Sequence, residues 1–416
     1  MDQDLASLFS IHPTFEEIFK KHPSFVEENL STIKNWLSSE EFKKKYRFHP
    51  YPPLLPPQSV DYTKFSGELV LDLNLPLPQN YDFILLFASS VGCDAMQLYL
   101  RDCGICINPL ESIMHIKDYI DGLMELLLTP SSAPKCLFVS TRCDGDFGKI
   151  LHLIDKKVPC FFVVRDFVSI LKSSLNHIDT VASKASYRTR NLNLDTQAYF
   201  EQPKFLFHHI TDLEELLDES NVKFLFQIAS RLEILKPNKT IAIDFKMLQT
   251  RAYELFYELG FMPTNKALFA SKINSYHLHF LPAVLHANGI EIHILHIKHF
   301  AFQTELIDVS AEFLDEIVFK ELILAMRKED FKNLDKAICK KIKKYFKQYI
   351  KGLQAKISQH NNFTEKDIVQ FLHHAPKLKE RFLEIMAKDA LYLQQNHNEI
   401  FSQFIYYQAL NSSKTP

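Results

Sequence analysis

Glycine is scarce in this sequence, nine residues among 416, and no G-x-x-x-x-G-K-[ST] phosphate loop occurs. No stretch reaches 18 uncharged apolar residues, which excludes a helical membrane span. The opening MDQDLASLFS is acidic where a signal peptide carries a basic region, so export is not expected. A surplus of either charge is missing too. The net charge of -2 gives no global attraction to nucleic acid or to an anionic membrane, and no nucleic-acid partner is expected. Cysteine is sparse and dispersed, at 93, 103, 106, 136, 143, 160 and 339, a pattern of reduced thiols and a cytoplasmic setting. Cys103 and Cys106 form one CxxC, but no second pair or histidine follows at zinc spacing. Two half-buried thiols flanking a turn at Gly104 are the expectation.

What is present is an ordinary globular composition, 46% apolar and 24% charged, with 35 phenylalanines. That phenylalanine count, beside abundant Lys, Asn and Ile, reflects AT-rich coding more than function. Residues 1–46 carry apolar residues at helical spacing (Leu5, Leu8, Phe9; Phe15, Ile18, Phe19; Leu30, Ile33, Leu37). Prolines 50, 52, 53, 56 and 57 then predict an extended connector over 47–79. Apolar runs at 83–87, 136–139, 160–164 and 240–243 alternate with helical patterns at 94–102, 110–128, 146–156, 167–176, 212–235 and 246–259. Continuously apolar strands separated by helices predict an α/β fold, a parallel β-sheet flanked by helices, over 80–304. From 305 to 416 the pattern predicts a helical C-terminal extension.

Ligands on such sheets bind at the carboxyl ends of the strands. After the first apolar run comes Ser89-Ser90-Val91-Gly92-Cys93-Asp94 and then a helix. A small-residue loop opening a helix can cradle an anion with backbone N–H groups and the helix dipole, or be an ordinary turn. After the third run comes Val164-Arg165-Asp166, with Ser173 two helical turns on. Arg165 can hold a phosphate bidentately and a serine hydroxyl can add a hydrogen bond, or Arg165 and Asp166 form a surface pair capping the helix.

These residues resemble the P-loop-like core of the sulfotransferase superfamily. In that family an Arg at a strand end and a Ser eight positions later hold the 3'-phosphate of 3'-phosphoadenylyl sulfate; Arg165 and Ser173 stand eight apart in VVRDFVSILKSS. Ser89, Ser90 and Gly92 match the family's phosphosulfate loop in position. Thr240 to Phe245, with the following helix and Gly260-Phe261, resembles its late strand and closing helix. Ser140-Thr141-Arg142-Cys143-Asp144 falls where cytosolic members place a basic catalytic residue. The resemblance covers residues 80–262 and implies sulfuryl transfer, with Arg142 stabilising charge and Asp144 as base. It departs at the loop cation, where Ser90 stands in place of Lys or Arg and Asp94 puts a carboxylate beside the cradle. The whole chain also resembles an uncharacterised bacterial family with a helical C-terminal extension and surface-polysaccharide gene neighbours, which implies a glycan acceptor. The alternatives are a nucleotide-binding or scaffold module with a degenerate loop, and a nucleotide-sugar-dependent glycosyltransferase.

Three other patterns stand out. Histidines 277, 279, 286, 293, 296 and 299 crowd one region, and Glu291 and His293 share a face of an alternating segment, as in a two-histidine, one-carboxylate site. Without HxxxH or HExxH spacing, surface or core histidines are the expectation, and no metal is predicted. Tyr187-Arg188-Thr189-Arg190 is a basic loop, in which Arg188 is a further candidate for a cofactor phosphate. Residues 338–351 form a basic amphipathic helix with Ile342, Phe346 and Tyr349 on one stripe; peripheral contact with the inner face of a membrane is one reading, a solvated lysine face on a packed helix the other.

Overall fold

Five successive apolar residues form strand β1, Phe83–Phe87, buried along its whole length. A strand with no polar face must be covered on both sides, which a parallel sheet with crossover helices provides. The computed structural model describes residues 11–108, 116–140, 146–177, 190–195, 209–270, 281–301, 303–315, 319, 321–358 and 363–411. In it β1 is the centre of a five-stranded parallel sheet with β2 (Cys106–Ile107), β3 (Lys135–Ser140), β4 (Pro159–Val164) and β6 (Lys239–Asp244), in the order β2-β3-β1-β4-β6. The four predicted strands are all present; β2, only two residues long, was invisible to an apolar-run search. Phe87 pairs with Ser140 of β3, and Ile84 with Cys160 of β4, so the carboxyl ends of the three central strands lie side by side.

The chain leaves β1 through helix Cys93–Asp102 towards β2, on one side of the sheet. It leaves β4 through helix Phe167–Leu175 and ends at β6 on the other side. Neighbouring strands whose outgoing connections diverge open a crevice between them at their carboxyl ends. Here that crevice lies between the loop after β1 and the turn after β4.

The flanking segments pack onto this sheet. Helices Thr14–Lys21, Leu30–Ser38 and Glu40–Lys45 bury Phe15, Ile33, Trp36 and Phe42 in the same core. The extended connector predicted over 47–79 is corrected: the stretch holds single 3-10 turns at Pro57–Ser59 and Tyr62–Lys64 and helix Gly67–Asp72, and it is packed, with Leu54 and Leu55 buried and the Trp36 indole donating to the Pro53 carbonyl at 2.9 Å.

A second, five-stranded sheet has the order β5-β7-β8-β10-β9, with β5 at Arg190–Asn193, β7 at Ala283–Ala287, β8 at Ile290–His296, β9 at Leu306–Asp308 and β10 at Leu322–Arg327. Asn288 and Gly289 both take positive φ between β7 and β8, the two-residue turn favoured by Asn-Gly in hairpins. Helix Lys336–Ser358 buries Ile342, Phe346 and Leu353 on a core of this sheet.

The prediction of helix throughout 305–416 is corrected by β9 and β10. Leu322 to Met326 is rich in good helix formers, and only its pairing with β8, some distance back in sequence, makes it a strand. The predicted helix at 246–259 is two, Phe245–Thr250 and Ala252–Glu258. Helices Glu365–His374, Pro376–Asn396 and Ile405–Asn411 return to the first core, where the Phe167 ring stands perpendicular to Tyr407 at 4.9 Å.

Candidate functional site at the β1–β4 crevice

The loop after β1 is tightly specified. Ser90 and Gly92 both hold positive φ, at 64° and 92°. A Cβ on Gly92 would come within 2.8 Å of the Phe245 ring, so this glycine is required by conformation and by space. Gly92 is the N-cap of helix Cys93–Asp102; Asp94 sits exposed in its first turn, where a carboxylate favours the helix dipole. The Cys93 thiol donates to the Ala88 carbonyl at 2.9 Å, and burial pushes its pKa well up, which leaves it a structural group.

Arg165 extends from the end of β4 into the crevice. One guanidinium nitrogen donates to the Ser90 carbonyl at 2.8 Å, and the group lies 4.3 Å from the centre of the Phe245 ring. Phe245 is the first residue after β6, whose Asp244 pairs with Val164, so the sheet register fixes this stacking. Among the described residues Arg165 has no carboxylate within ion-pair distance. Burial pushes its pKa down to about 10, against the weaker pull of Glu365 and Asp166. It remains a cation at neutral pH, desolvated and incompletely neutralised.

Asp166, next in sequence, has a structural task. One oxygen accepts from Val168 N at 3.0 Å and caps helix Phe167–Leu175. The other accepts from Tyr406 N at 3.0 Å and Tyr407 N at 3.4 Å, at the start of helix Ile405–Asn411. Burial raises its pKa, partly offset by those amides. Ser173 has no side-chain partner among the described residues; the serine that reaches the loop is Ser174, its hydroxyl 3.0 Å from that of Ser90. The structure therefore brings together Ser90, Gly92 and Arg165 with Ser174, and leaves Ser173 one position around the helix. Ser89 lies half-buried in the same loop. Arg142, Asp144 and Arg188 lie outside the described residues.

Three participants were not foreseen. Glu365 accepts from Lys172 at 2.9 Å and Ser169 at 3.0 Å, tying helix Glu365–His374 to the Arg165 helix. Burial opposes its charge, but those donors and its own amide prevail and hold its carboxyl below the usual range. Asp389, buried, accepts from the amides of Gln227, Ile228 and Ala229 at 2.7, 3.2 and 2.9 Å. These carboxylates come from sequence positions some 200 residues away, where no local pattern marks them. Phe245 had a local signal, its place directly after a strand end. The space against Arg165, bounded by Val91, Phe226, Asp389 and Tyr392, is about 10 Å³, room for one water molecule.

Elsewhere, His286 lies opposite Glu291 across β7 and β8, 3.5 Å apart, and the His293 ring is 3.9 Å from the same carboxylate. His286 also meets the Asn191 side chain at 3.0 Å. Among the described residues no three such side chains come together as a metal site. His277 and His279 lie outside the described residues. Cys103 and Cys106 are half-buried free thiols on either side of Gly104, which has a φ of 72°. The stripe of Ile342, Phe346 and Tyr349 is buried, at most 2% exposed, so it is not available to enter a bilayer; the lysines of that helix form its outer face. No helix among the described residues is long and apolar enough to cross a membrane.

Residues 210–412 match the model of a family described as a protein of unknown function (DUF2972). No curated protein and no solved structure matches the chain. The matched span starts after β4, so it holds neither the 89–92 loop nor Arg165, but it includes Phe245, Glu365 and Asp389, which pack around them.

Proposed function

We propose that the crevice between β1 and β4 binds the phosphate of a nucleotide, and that the chain is a sulfotransferase-like protein whose loop is degenerate. The observation that carries this reading is Arg165: a half-buried guanidinium at the sheet's switch point, held by one carbonyl and one aromatic face and, among the described residues, by no carboxylate. Burying a cation without a counter-charge is unfavourable unless an anion completes it. A ligand phosphate would replace the Ser90 carbonyl, with the loop amides and Ser89 adding donors. Since the space now present holds one water, entry requires Phe245 or helix Pro376–Asn396 to shift. The cofactor expected from the resemblance is 3'-phosphoadenylyl sulfate, and the acceptor a hydroxyl of a surface glycan.

Ser90 is why binding is favoured over transfer. It stands where the resembled family carries a cation, and its hydroxyl is turned to Ser174. One observation keeps sulfuryl transfer as a second reading. β3 ends at Ser140, in register with Phe87, and Arg142 and Asp144 follow two and four residues later in the sequence. Sulfuryl transfer needs a base for the acceptor hydroxyl and positive charge on the leaving phosphate, roles those two residues would take.

Calorimetry with adenosine 3',5'-bisphosphate tests the binding reading. Arg165→Ala is expected to weaken it by about 1.5–3 kcal/mol, the range for a charged hydrogen bond. Absence of binding by the unaltered chain at millimolar ligand overturns it. Transfer by the unaltered chain that Arg142→Ala abolishes would establish the second reading.

A further inference from the structure

A cavity lies at the opposite end of the parallel strands from Arg165. It has a volume of about 480 Å³, within the range of small-molecule sites. Four stretches of chain enclose it: 44–51, 74–76, 152–157 and 233–236. Two of these precede the parallel strands β4 and β6, which places the cavity at the amino ends of the strands. From Lys157 to Arg165 the chain runs the full length of β4, roughly 25 Å at strand rise. The cavity therefore cannot serve an in-line transfer at the crevice, and any ligand here occupies a separate site.

Its charge is one-sided. Four lysines line it, Lys44, Lys45, Lys157 and Lys236, against two carboxylates, Asp155 and Glu233. Both carboxylates are already engaged, Asp155 by Lys45 and Glu233 by Lys388, each at 2.5 Å. Lys44, Lys157 and Lys236 have no carboxylate within ion-pair distance among the described residues; Lys157 feels Asp155 only at longer range and donates to the Leu235 carbonyl at 2.9 Å. Two neutral donor-acceptors stand with them. Burial pushes the pKa values of His49 and His152 down, and their rings pack edge to face at 5.9 Å.

The rim supplies flat apolar surface. Phe48 is 91% exposed, an unusual position for a phenylalanine, and carries the Arg47 guanidinium 5.5 Å from its ring centre. Tyr51 lies 5.4 Å from the His152 ring. Asn74 lines the floor, nearly fully buried, with its Oδ1 unmatched by any donor.

We infer that this basal cavity binds a phosphorylated ring compound, a sugar phosphate or a nucleotide, with the phosphate on Lys44, Lys157 and Lys236 and the ring against Phe48 and Tyr51. Both sources share one chemistry, a phosphate ester attached to a ring.

Calorimetry on the full chain decides it, with glucose 6-phosphate and adenosine 5'-monophosphate as probes and glucose and adenosine as their uncharged counterparts. One phosphorylated probe is expected to bind and its uncharged counterpart to bind at least about tenfold more weakly; which of the two binds names the source. The variant Lys44→Glu with Lys236→Glu is expected to weaken binding by roughly tenfold or more, as loss of charged hydrogen bonds implies. Phe48→Ala, at an exposed position that folding does not need, is expected to weaken it severalfold, and Arg165→Ala to leave it unchanged. Failure of both phosphorylated probes to bind at millimolar concentration overturns the inference. So does binding that ignores the lysine and Phe48 variants, or that Arg165→Ala removes, since the ligand then sits in the crevice.

Discussion

Replacing Asp166 by alanine removes three acceptor contacts at once, and they belong to two helices distant in sequence. Loss of the Oδ1 contact uncaps helix Phe167–Leu175; exchanging an aspartate cap for alanine costs about 0.5–2 kcal/mol. Loss of Oδ2 strips the amide of Tyr406 and the longer, weaker contact to Tyr407. One amide left without an acceptor in a half-buried position adds about 1–3 kcal/mol. Against this, removal of a carboxylate whose charge burial disfavours returns part of the loss. The net expectation is about 2–3 kcal/mol of lost stability, read as a lower urea midpoint at neutral pH. Asp166→Asn keeps Oδ1 for Val168 but faces Tyr406 N with an amide donor, so about half the effect is expected. Hydrogen exchange gives the location: the Tyr406 amide should lose protection before the strands of the sheet do. A midpoint shift worth under about 1 kcal/mol, or unchanged Tyr406 protection, would refute the assignment of Asp166 as a shared cap.

Glu365 has a folded-state pKa below its ordinary value, so it contributes stability that is present above the usual glutamate range and lost as pH falls through the folded value. Thermal melts across mildly acid pH should show this loss, and Glu365→Gln should flatten it. Gly92→Ala forces an L side chain into φ of 92° and against Phe245; a loss of about 1–3 kcal/mol is expected in urea, with Phe245→Leu in the same chain recovering part of it. For the helix over 338–351, the buried stripe leaves the exposed lysines Lys340, Lys341, Lys343, Lys344, Lys347 and Lys351 as the contact it can offer, so any binding to anionic vesicles should vanish at high salt. Vesicle binding that survives high salt would mean that the helix leaves its sheet.

The parallel sheet was legible because its inner strands are buried on both faces and so read as unbroken apolar runs; β1, β3 and β4 have this form, while the half-buried edge strand β6 showed only through its short Ile241–Ile243 run. The position of the crevice was legible as well, since Ser90, Gly92 and Arg165 each follow directly on such a run. Of the second sheet only the alternating segment that becomes β8 stood out. Its strands alternate or consist of helix formers, and β10 finds β8 only across an intervening stretch. The choice of Ser174 over Ser173 turns on about 100° of helix rotation per residue, finer than a spacing argument resolves. Glu365 and Asp389 act through contacts with residues 169 and 227–229, and no periodicity within their own helices announces such partners.

The C-terminal helices cannot be regarded as an appendage to the parallel-sheet core. Asp166 holds the start of helix Ile405–Asn411, Glu365 holds Ser169 and Lys172, and Asn176 exchanges two hydrogen bonds with the backbone of Phe363, at 2.9 and 3.0 Å. All of these fasten one helix, Phe167–Leu175, whose start positions Arg165. Asp389 adds the far wall of the crevice by capping helix Ile228–Leu235. A half-buried guanidinium with one carbonyl partner among the described residues keeps its place only if such a frame fixes it, because the Coulomb and desolvation terms alone would favour its escape to water. Residues 210–412, the span that matches the family model, contain this frame but not the arginine it holds. Opening the crevice to a ligand therefore means loosening contacts between the C-terminal helices and the Arg165 helix, and a bound phosphate would be felt first at Phe363, Glu365 and Tyr406.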